Sequence, residues 1–312
     1  MTQQREAMTQ ETSTSGPAGG SGAPGGTPYP DIADTSHATA AAAAFFRSFF
    51  TARTSRDIEA THAHFHPGKT AYFDATLGWA LPANADVRKM WERYMPQWPA
   101  EAKSYPTQIL GDMTSAVVFT TDTPELFGGE IRTISIADLQ DGKIVRMVDY
   151  WDGRGFGAQL AASLRVPADA YPHDLGSSTV TSRPGPVATA AQELSAAFAA
   201  GDAGRAGELF SYDAVFEDMA LRAQLRGQAA IVRYLRRALP GLPYARASVR
   251  HVAGAGRGGG YEWRADGQPV PVGAAALELS PDGNITKFTA VWDGSLLDDQ
   301  AITALTAAAA DR

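Results

Sequence analysis

The chain has 312 residues, 44% hydrophobic and 20% charged, with a formal net charge of −7. That balance is ordinary for a globular protein and lacks the clustered Lys and Arg that a nucleic acid or an anionic membrane demands. No cysteine is present, which excludes disulfides, thiolate-held metals and thiol nucleophiles.

Residues 1–36 are rich in Gly, Pro, Ser, Thr and Gln and poor in large apolar side chains, so a disordered N-terminal arm is expected there. From about Ser36, a candidate N-cap, to Ala52 the pattern predicts an Ala-rich amphipathic helix carrying Phe45, Phe46, Phe49 and Phe50. A short helix follows over 55–65, then a β-like stretch, Thr70-Ala-Tyr-Phe-Asp74. A third helix is predicted over 86–97, ending near Pro96 and Pro99, and then a meander of three or four strands. Residues 166–186 hold Pro167, Pro172, Pro184 and Pro186 and read as a linker. Beyond it the same order returns: helices over 187–200 and 203–210, a β-like stretch ending at Asp218, a helix over 228–239, and a second meander. Arg233, Arg236 and Arg237 read as the solvated face of that last helix, and Gly254 to Gly260 as a flexible hairpin loop. The expected domains are therefore 37–165 and 187–312.

The final hairpins carry the repeat best. Asp141-Gly-Lys-Ile-Val-Arg-Met-Val-Asp-Tyr-Trp-Asp-Gly153 lies over Asp282-Gly-Asn-Ile-Thr-Lys-Phe-Thr-Ala-Val-Trp-Asp-Gly294 without a gap. Asp-Gly before alternating apolar residues is a strong turn signal. The offset between copies is 150 at an Ala-Thr-Ala-Ala pair (38–41 and 188–191), 144 at Asp74 and Asp218, and 141 at the hairpins. So small a drift fits duplication with changes in loop length.

Helix, helix, strand, helix and a meander ending in Asp-Gly-x-Ile…Trp-Asp resembles the SnoaL-like branch of the nuclear transport factor 2 superfamily. Ketosteroid isomerases, limonene-type epoxide hydrolases and polyether epoxide hydrolase/cyclases share that superfamily. The resemblance implies an α+β fold of two tandem cones, each a curved mixed sheet wrapped on three helices around a pocket. Packed sheet to sheet, the two would form a monomeric pseudo-dimer; the alternative expectation is a homodimer.

Asp74 and Asp218 each end the β-like stretch, where the resemblance places a catalytic acid or base. A carboxyl in an apolar cone is poorly solvated and its pKa rises toward neutrality; the competing reading is a turn cap. Asp149 lies in the last strand, sharing a face with Trp151 by alternation, and Ala290 replaces it in the second copy. Glu101, 27 residues past Asp74, resembles the second acid of the polyether cyclases, although its surroundings, Pro-Ala-Glu-Ala-Lys, suit an exposed loop. The oxyanion hole of the isomerases has no counterpart: Leu194 and Ala275 stand at its positions in the second copy and Ser135 at its strand position in the first.

His62, His64 and His66 lack an acidic third ligand, so no metal is expected, and His64 is kept as a possible cone-mouth residue. Tyr72, Trp79, Trp91, Tyr94 and Trp151 in the first copy and Trp263 in the second are expected to line the cones for an apolar small-molecule substrate. The expected function is a cofactor-independent cyclase of specialised, polyketide-like metabolism using carboxylate acid/base chemistry, with epoxide-opening ether formation as its specific version. The alternative is a non-catalytic tandem that binds a small molecule or a partner. No signal peptide or apolar run long enough for a membrane span is present, so a cytoplasmic protein is expected.

Overall fold

The computed structural model describes residues 28–310; most of the predicted arm, residues 1–27, lies outside the described residues. The first half runs α1 (Ala40–Thr54), α2 (Ile58–His62), β1 (Ala71–Asp74), β2 (Trp79–Leu81), α3 (Asn84–Tyr94), β3 (Ser104–Gly111), β4 (Ser115–Asp122), α4 (Pro124–Phe127), β5 (Ile131–Gln140), β6 (Lys143–Trp151) and α5 (Ala158–Leu164). The second runs α6 (Pro186–Ala199), α7 (Ala203–Glu208), β7 (Phe210–Asp218), β8 (Ala223–Arg226), α8 (Gln228–Ala238), β9 (Ser248–Ala255), β10 (Gly258–Arg264), β11 (Val272–Leu279), β12 (Ile285–Trp292) and α9 (Asp299–Ala309). The sheet orders are β2-β1-β6-β5-β4-β3 and β8-β7-β12-β11-β10-β9, the same path taken twice. Within each, β1–β6 or β7–β12 is the parallel pair and the rest are antiparallel.

Helix ends follow their caps. Asp57 and Asp202 each accept a hydrogen bond from the backbone N–H three residues on, starting α2 and α7 at equivalent places. On α8, Ile231, Tyr234, Leu235 and Ala238 are buried at helical spacing, and Arg233, Arg236 and Arg237 face outward as expected. The cap of α1 is Thr39 rather than Ser36, whose N–H and hydroxyl both donate to Asp34. Because α1 and α6 begin after Thr39 and Gly185, the Ala-Thr-Ala-Ala match at 38–41 and 188–191 is about one helical turn out of register. Alanine-rich helices offer such accidental matches; the caps give the true correspondence.

Three further expectations are corrected. Residues 28–36 do not belong to a free arm: Tyr29 is buried and donates to the Arg47 carbonyl at 2.8 Å, and Asp34 bridges to β3. Residues 166–186 are tied down, with Leu175 fully buried and the Tyr171 hydroxyl donating to the Ala75 carbonyl at 2.6 Å. Gly258 to Gly260 are not a loop but part of β10, where a Cβ on Gly260 would meet the Val117 side chain at 3.2 Å. Gly260 thus lets the second sheet approach the first closely.

Strand alternation sorts each sheet into two faces. One carries Met147, Asp149 and Trp151 toward the helices of its own cone. The other carries Phe73, Val148 and Tyr150 into a shared layer with Ala274, Ala276 and Val291 of the second sheet. The two sheets thus pack face to face. Their Trp-Asp-Gly segments make a reciprocal contact: Asp152 accepts from the Gly294 N–H at 3.1 Å, and Asp293 accepts from the Gly153 N–H at 3.0 Å. Such exchange is what a two-fold interface produces, here written into one chain.

Charge also lies between the sheets. Arg146, fully buried, makes a two-pronged contact with the equally buried Glu262 at 2.8 and 2.9 Å and reaches Asp138 at 3.3 Å. Asp138 in turn meets His251 at 2.9 Å.

Gly254, at φ +110°, would place a Cβ 2.3 Å from the Gly259 backbone, whereas Gly256, at φ +60°, has open space around it. Gly254→Ala is therefore expected to lose about 1–3 kcal/mol from backbone strain before the clash is counted. Gly256→Ala should lose less, since its φ lies in the left-handed region that side chains tolerate. Urea unfolding of the two variants checks this, and equal losses would contradict it.

Candidate active site

Asp74 ends β1 and pairs in register with Asp149 of the parallel strand β6, so two carboxyls sit side by side on the cone face. Asp74 accepts from the Leu77 N–H at 2.8 Å and from the Trp151 indole N–H at 3.0 Å. Asp149 accepts from the Ser135 hydroxyl at 2.5 Å and from the Tyr72 hydroxyl. Tyr72 is brought there by alternation, two residues before Asp74, and Ser135 by the β5–β6 ladder, directly opposite Asp149.

Burial raises the Asp74 carboxyl to about 7, with the Leu77 N–H opposing the shift and the nearby Asp149 adding to it. Burial raises Asp149 too, opposed by the Ser135 and Tyr72 hydroxyls, which favour its charged form, and by Arg53. Tyr72, pushed well above its usual range by burial and by both aspartates, remains a neutral donor. Asp74 nonetheless keeps part of its surface exposed, as do Tyr72, Trp79, Tyr94 and Trp98 around it.

The second copy repeats the frame without the chemistry. Asp218 accepts from the Leu221 N–H at 3.0 Å and the Trp292 indole at 3.1 Å, matching Asp74, but also from the Tyr244 hydroxyl at 3.1 Å. It is fully buried, and that burial raises it to about 6. The ladders put Ala290 where Asp149 stands, Ala275 where Ser135 stands and Phe216 where Tyr72 stands. Three polar groups have become a hydrocarbon row, and Phe216 stacks on Phe288 at 4.7 Å.

The other expected residues divide. Trp91 lies 6.4 Å from Tyr72, ring to ring, and Trp79 stacks on Tyr94 at 6.2 Å with its indole N–H donating to the Leu164 carbonyl. Glu101 is exposed on the turn before β3, where its neighbour Ala102 takes the buried place, and does not join the aspartates. His64 is held by the Ala60 carbonyl at 2.8 Å and Ser48 at 3.2 Å, against the phenyl rings of Phe45 and Phe49, and is not with the carboxyls. Trp263 packs on Tyr244 inside the sealed second cone. Among the described residues no cluster of His, Asp and Glu could hold a metal, and no helix is long and apolar enough to cross a membrane.

Sequence reasoning missed Tyr244, Arg53 and Asp122, which lie far along the chain from the aspartates and carry no motif. It also missed a cavity of about 340 Å³ at the seam between the cones, lined by Thr76, Trp151, Tyr171, Pro271 and Trp292. Asp293, the carboxyl that lines it among the described residues, is paired with Arg165.

Residues 191–292 match the SnoaL-like domain family. That stretch is most of the second cone, which is therefore similar to SnoaL-like domains. The first cone has the same element and sheet order, so the chain is two tandem α+β domains of nuclear transport factor 2-like fold. Among solved structures, a SnoaL-like protein from Burkholderia thailandensis is 17% identical, covering 35% of this chain and 96% of its own, at a TM-score of 0.31. A steroid delta-isomerase from Pseudomonas aeruginosa is also 17% identical, covering 42% of this chain and 93% of its own, at 0.31. An NTF2-like protein from Burkholderia xenovorans is 14% identical, covering 36% and 82%, at 0.31. No curated protein matches the chain in sequence.

The raised Asp74 carboxyl makes a stability prediction. A carboxyl raised on folding binds its proton more tightly in the folded than in the unfolded state. Its contribution is full below the unfolded pKa near 4 and is lost as pH rises to about 7, flattening above that. The stability of Asp74→Asn relative to the parent is therefore expected to improve between pH 4 and 7. Denaturant midpoints at several pH values check it; a constant difference would mean that Asp74 is not raised.

Proposed function

We propose that the first cone is a cofactor-independent acid/base active site for an apolar, polyketide-like substrate, and that its reaction is ether-ring closure with opening of an epoxide. The observation that carries this reading is the partly exposed Asp74 carboxyl, raised to about 7, beside an Asp149 carboxyl that accepts from two hydroxyls. Ring closure needs two carboxyls in opposite protonation states. Asp74 gives its proton to the epoxide oxygen, which keeps the electron pair of the breaking C–O bond. The substrate hydroxyl forms the new C–O bond and loses its proton to Asp149, whose charged form Tyr72 and Ser135 favour. Protons balance across the pair. The aromatic walls fold the chain so that hydroxyl and epoxide meet.

In this reading the units are 37–165, which is catalytic, and 187–312, which is a scaffold whose Asp218 is a buried tie. The face that often pairs with a second subunit is already covered, so the protein is expected to be a monomer. The test is conversion of an apolar hydroxy-epoxide to its cyclic ether, followed by chiral chromatography. The parent and Asp218→Asn should convert it, and Asp149→Asn should be slower by roughly 10²-fold or more. Activity that survives Asp149→Asn but not Asp218→Asn would overturn the assignment to the first cone. Binding without conversion in the parent would favour the non-catalytic carrier.

A further inference from the structure

In the first cone, close enough to Asp149 for Arg53 and Asp122 to act on its charge, several buried polar atoms have no hydrogen-bond partner: Arg53 Nε, Trp91 Nε1, Ser104 Oγ and Asp122 Oδ1. Buried polar groups are nearly always satisfied, so such a cluster asks for an occupant. They converge. Ser104 and Asp122 are directly opposite in the β3–β4 ladder and so share a face. The Arg53 guanidinium comes from the end of α1 and approaches Asp122 Oδ1 at 3.5 Å, too far for a good hydrogen bond. It lies over the Trp91 ring at 5.5 Å and the Trp98 ring at 5.8 Å. Trp91 in turn borders Tyr72, which bonds Asp149. All four side chains with an unpartnered atom belong to residues less than a tenth exposed.

Among the described residues, the second cone leaves the Tyr234 hydroxyl and the Trp263 indole N–H unpartnered, but it has no polar side chains at the positions of Ser104 and Asp122. Continuing the β10–β11 and β9–β10 ladders places Ala265 at the Asp122 position and Ala247 at the Ser104 position, and both are buried. Neither alanine leaves a polar side chain wanting.

The chemistry of the four atoms selects the occupant. Arg53 Nε and Trp91 Nε1 only donate, Asp122 Oδ1 only accepts while ionised, and Ser104 does either. The Arg53 and Asp122 charges cancel, so an anion or a cation gains one partner and meets a like charge. A single hydroxyl oxygen can accept from Arg53 or Trp91 and donate to Asp122. We propose that the Arg53–Trp91–Ser104–Asp122 cluster is a specificity site that seats a neutral hydroxyl of the substrate, anchoring one end of an apolar chain while the rest extends toward Asp74 and Asp149. The proposal rests on the first cone being the site, and it adds the substrate class: an alcohol-bearing chain.

The test compares isomers. Decan-1-ol and nonyl methyl ether have the same atoms, but only the alcohol can donate to Asp122. Binding to the full chain is read by calorimetry. The parent should bind the alcohol about tenfold more tightly, roughly what one satisfied buried polar group is worth. Asp122→Ala, which removes the acceptor that only the alcohol can use, should lower the preference for the alcohol several-fold, whereas Trp91→Phe, which keeps the ring and removes a donor that either oxygen can use, should weaken both isomers. Equal affinity for the two isomers in the parent would overturn the proposal. So would an undiminished preference in Asp122→Ala, binding of both isomers unchanged by Trp91→Phe, or a structure of the alcohol complex with only water at Arg53. Asp74→Asn separates this from the catalytic reading: it should lose turnover and keep the preference. An Asp74-dependent turnover without any preference for the alcohol would overturn the hydroxyl site alone.

Discussion

Asp74→Asn is expected to lower hydroxy-epoxide turnover by about 10²–10⁴-fold, the usual contribution of a positioned general acid. The substitution keeps the shape and an acceptor for the Leu77 N–H, so the loss reports the missing proton rather than a collapsed turn. The pH profile gives the sharper reading. An acid raised to about 7 holds its proton below that pH, so the parent rate should fall as pH climbs past 7. The residual rate of Asp74→Asn should lack that limb. A parent whose rate rises through the same range would assign Asp74 the role of base instead. A variant with parental activity would remove it from the chemistry altogether.

Glu262→Ala is expected to cost about 3–5 kcal/mol of stability, because it leaves the fully buried Arg146 charge without its two-pronged partner. Asp138 remains nearby, but it approaches Arg146 at 3.3 Å and also meets His251, so it compensates only in part. Replacing both partners removes the stranded charge. Arg146→Met with Glu262→Leu should therefore recover much of the loss, since apolar groups of similar size are often no worse than a buried ion pair. Guanidinium unfolding measures all three. A double variant as unstable as the single one would mean that packing, not charge, sets the cost. Because Arg146 belongs to the first sheet and Glu262 to the second, the same variants test how far the two cones unfold together.

The aspartates were legible early because their positions were marked by local signals. Asp74 and Asp218 each close a strand before a turn, and Asp149 was paired with Trp151 by alternation alone. What those carboxyls touch was not legible. Ser135 reaches Asp149 only because β5 lies beside β6, and Tyr244 reaches Asp218 from a turn 26 residues on. Glu101 shows the opposite error: a spacing carried over by resemblance, on a turn that faces water. The glycines of 254–260 were misread for a related reason. Gly-rich sequence signals freedom when the chain is alone, but here Gly260 leaves room for the Val117 side chain of the other sheet.

By itself, the sequence determined the duplicated α+β order, because element type follows from hydrophobic period, caps and turn residues that act within a few positions of one another. It also determined that the copies differ at Asp149 and Ala290. The tertiary structure alone decided what that difference means. Packing seals Asp218 under Tyr244 and Trp292, while Asp74 keeps an exposed edge beside Asp149, Tyr72 and Ser135. It also decided that the two Trp-Asp-Gly segments cap each other across the seam. Burial and register between strands far apart in the chain set a carboxyl's solvation and its partners, and neither is written in the residues beside it.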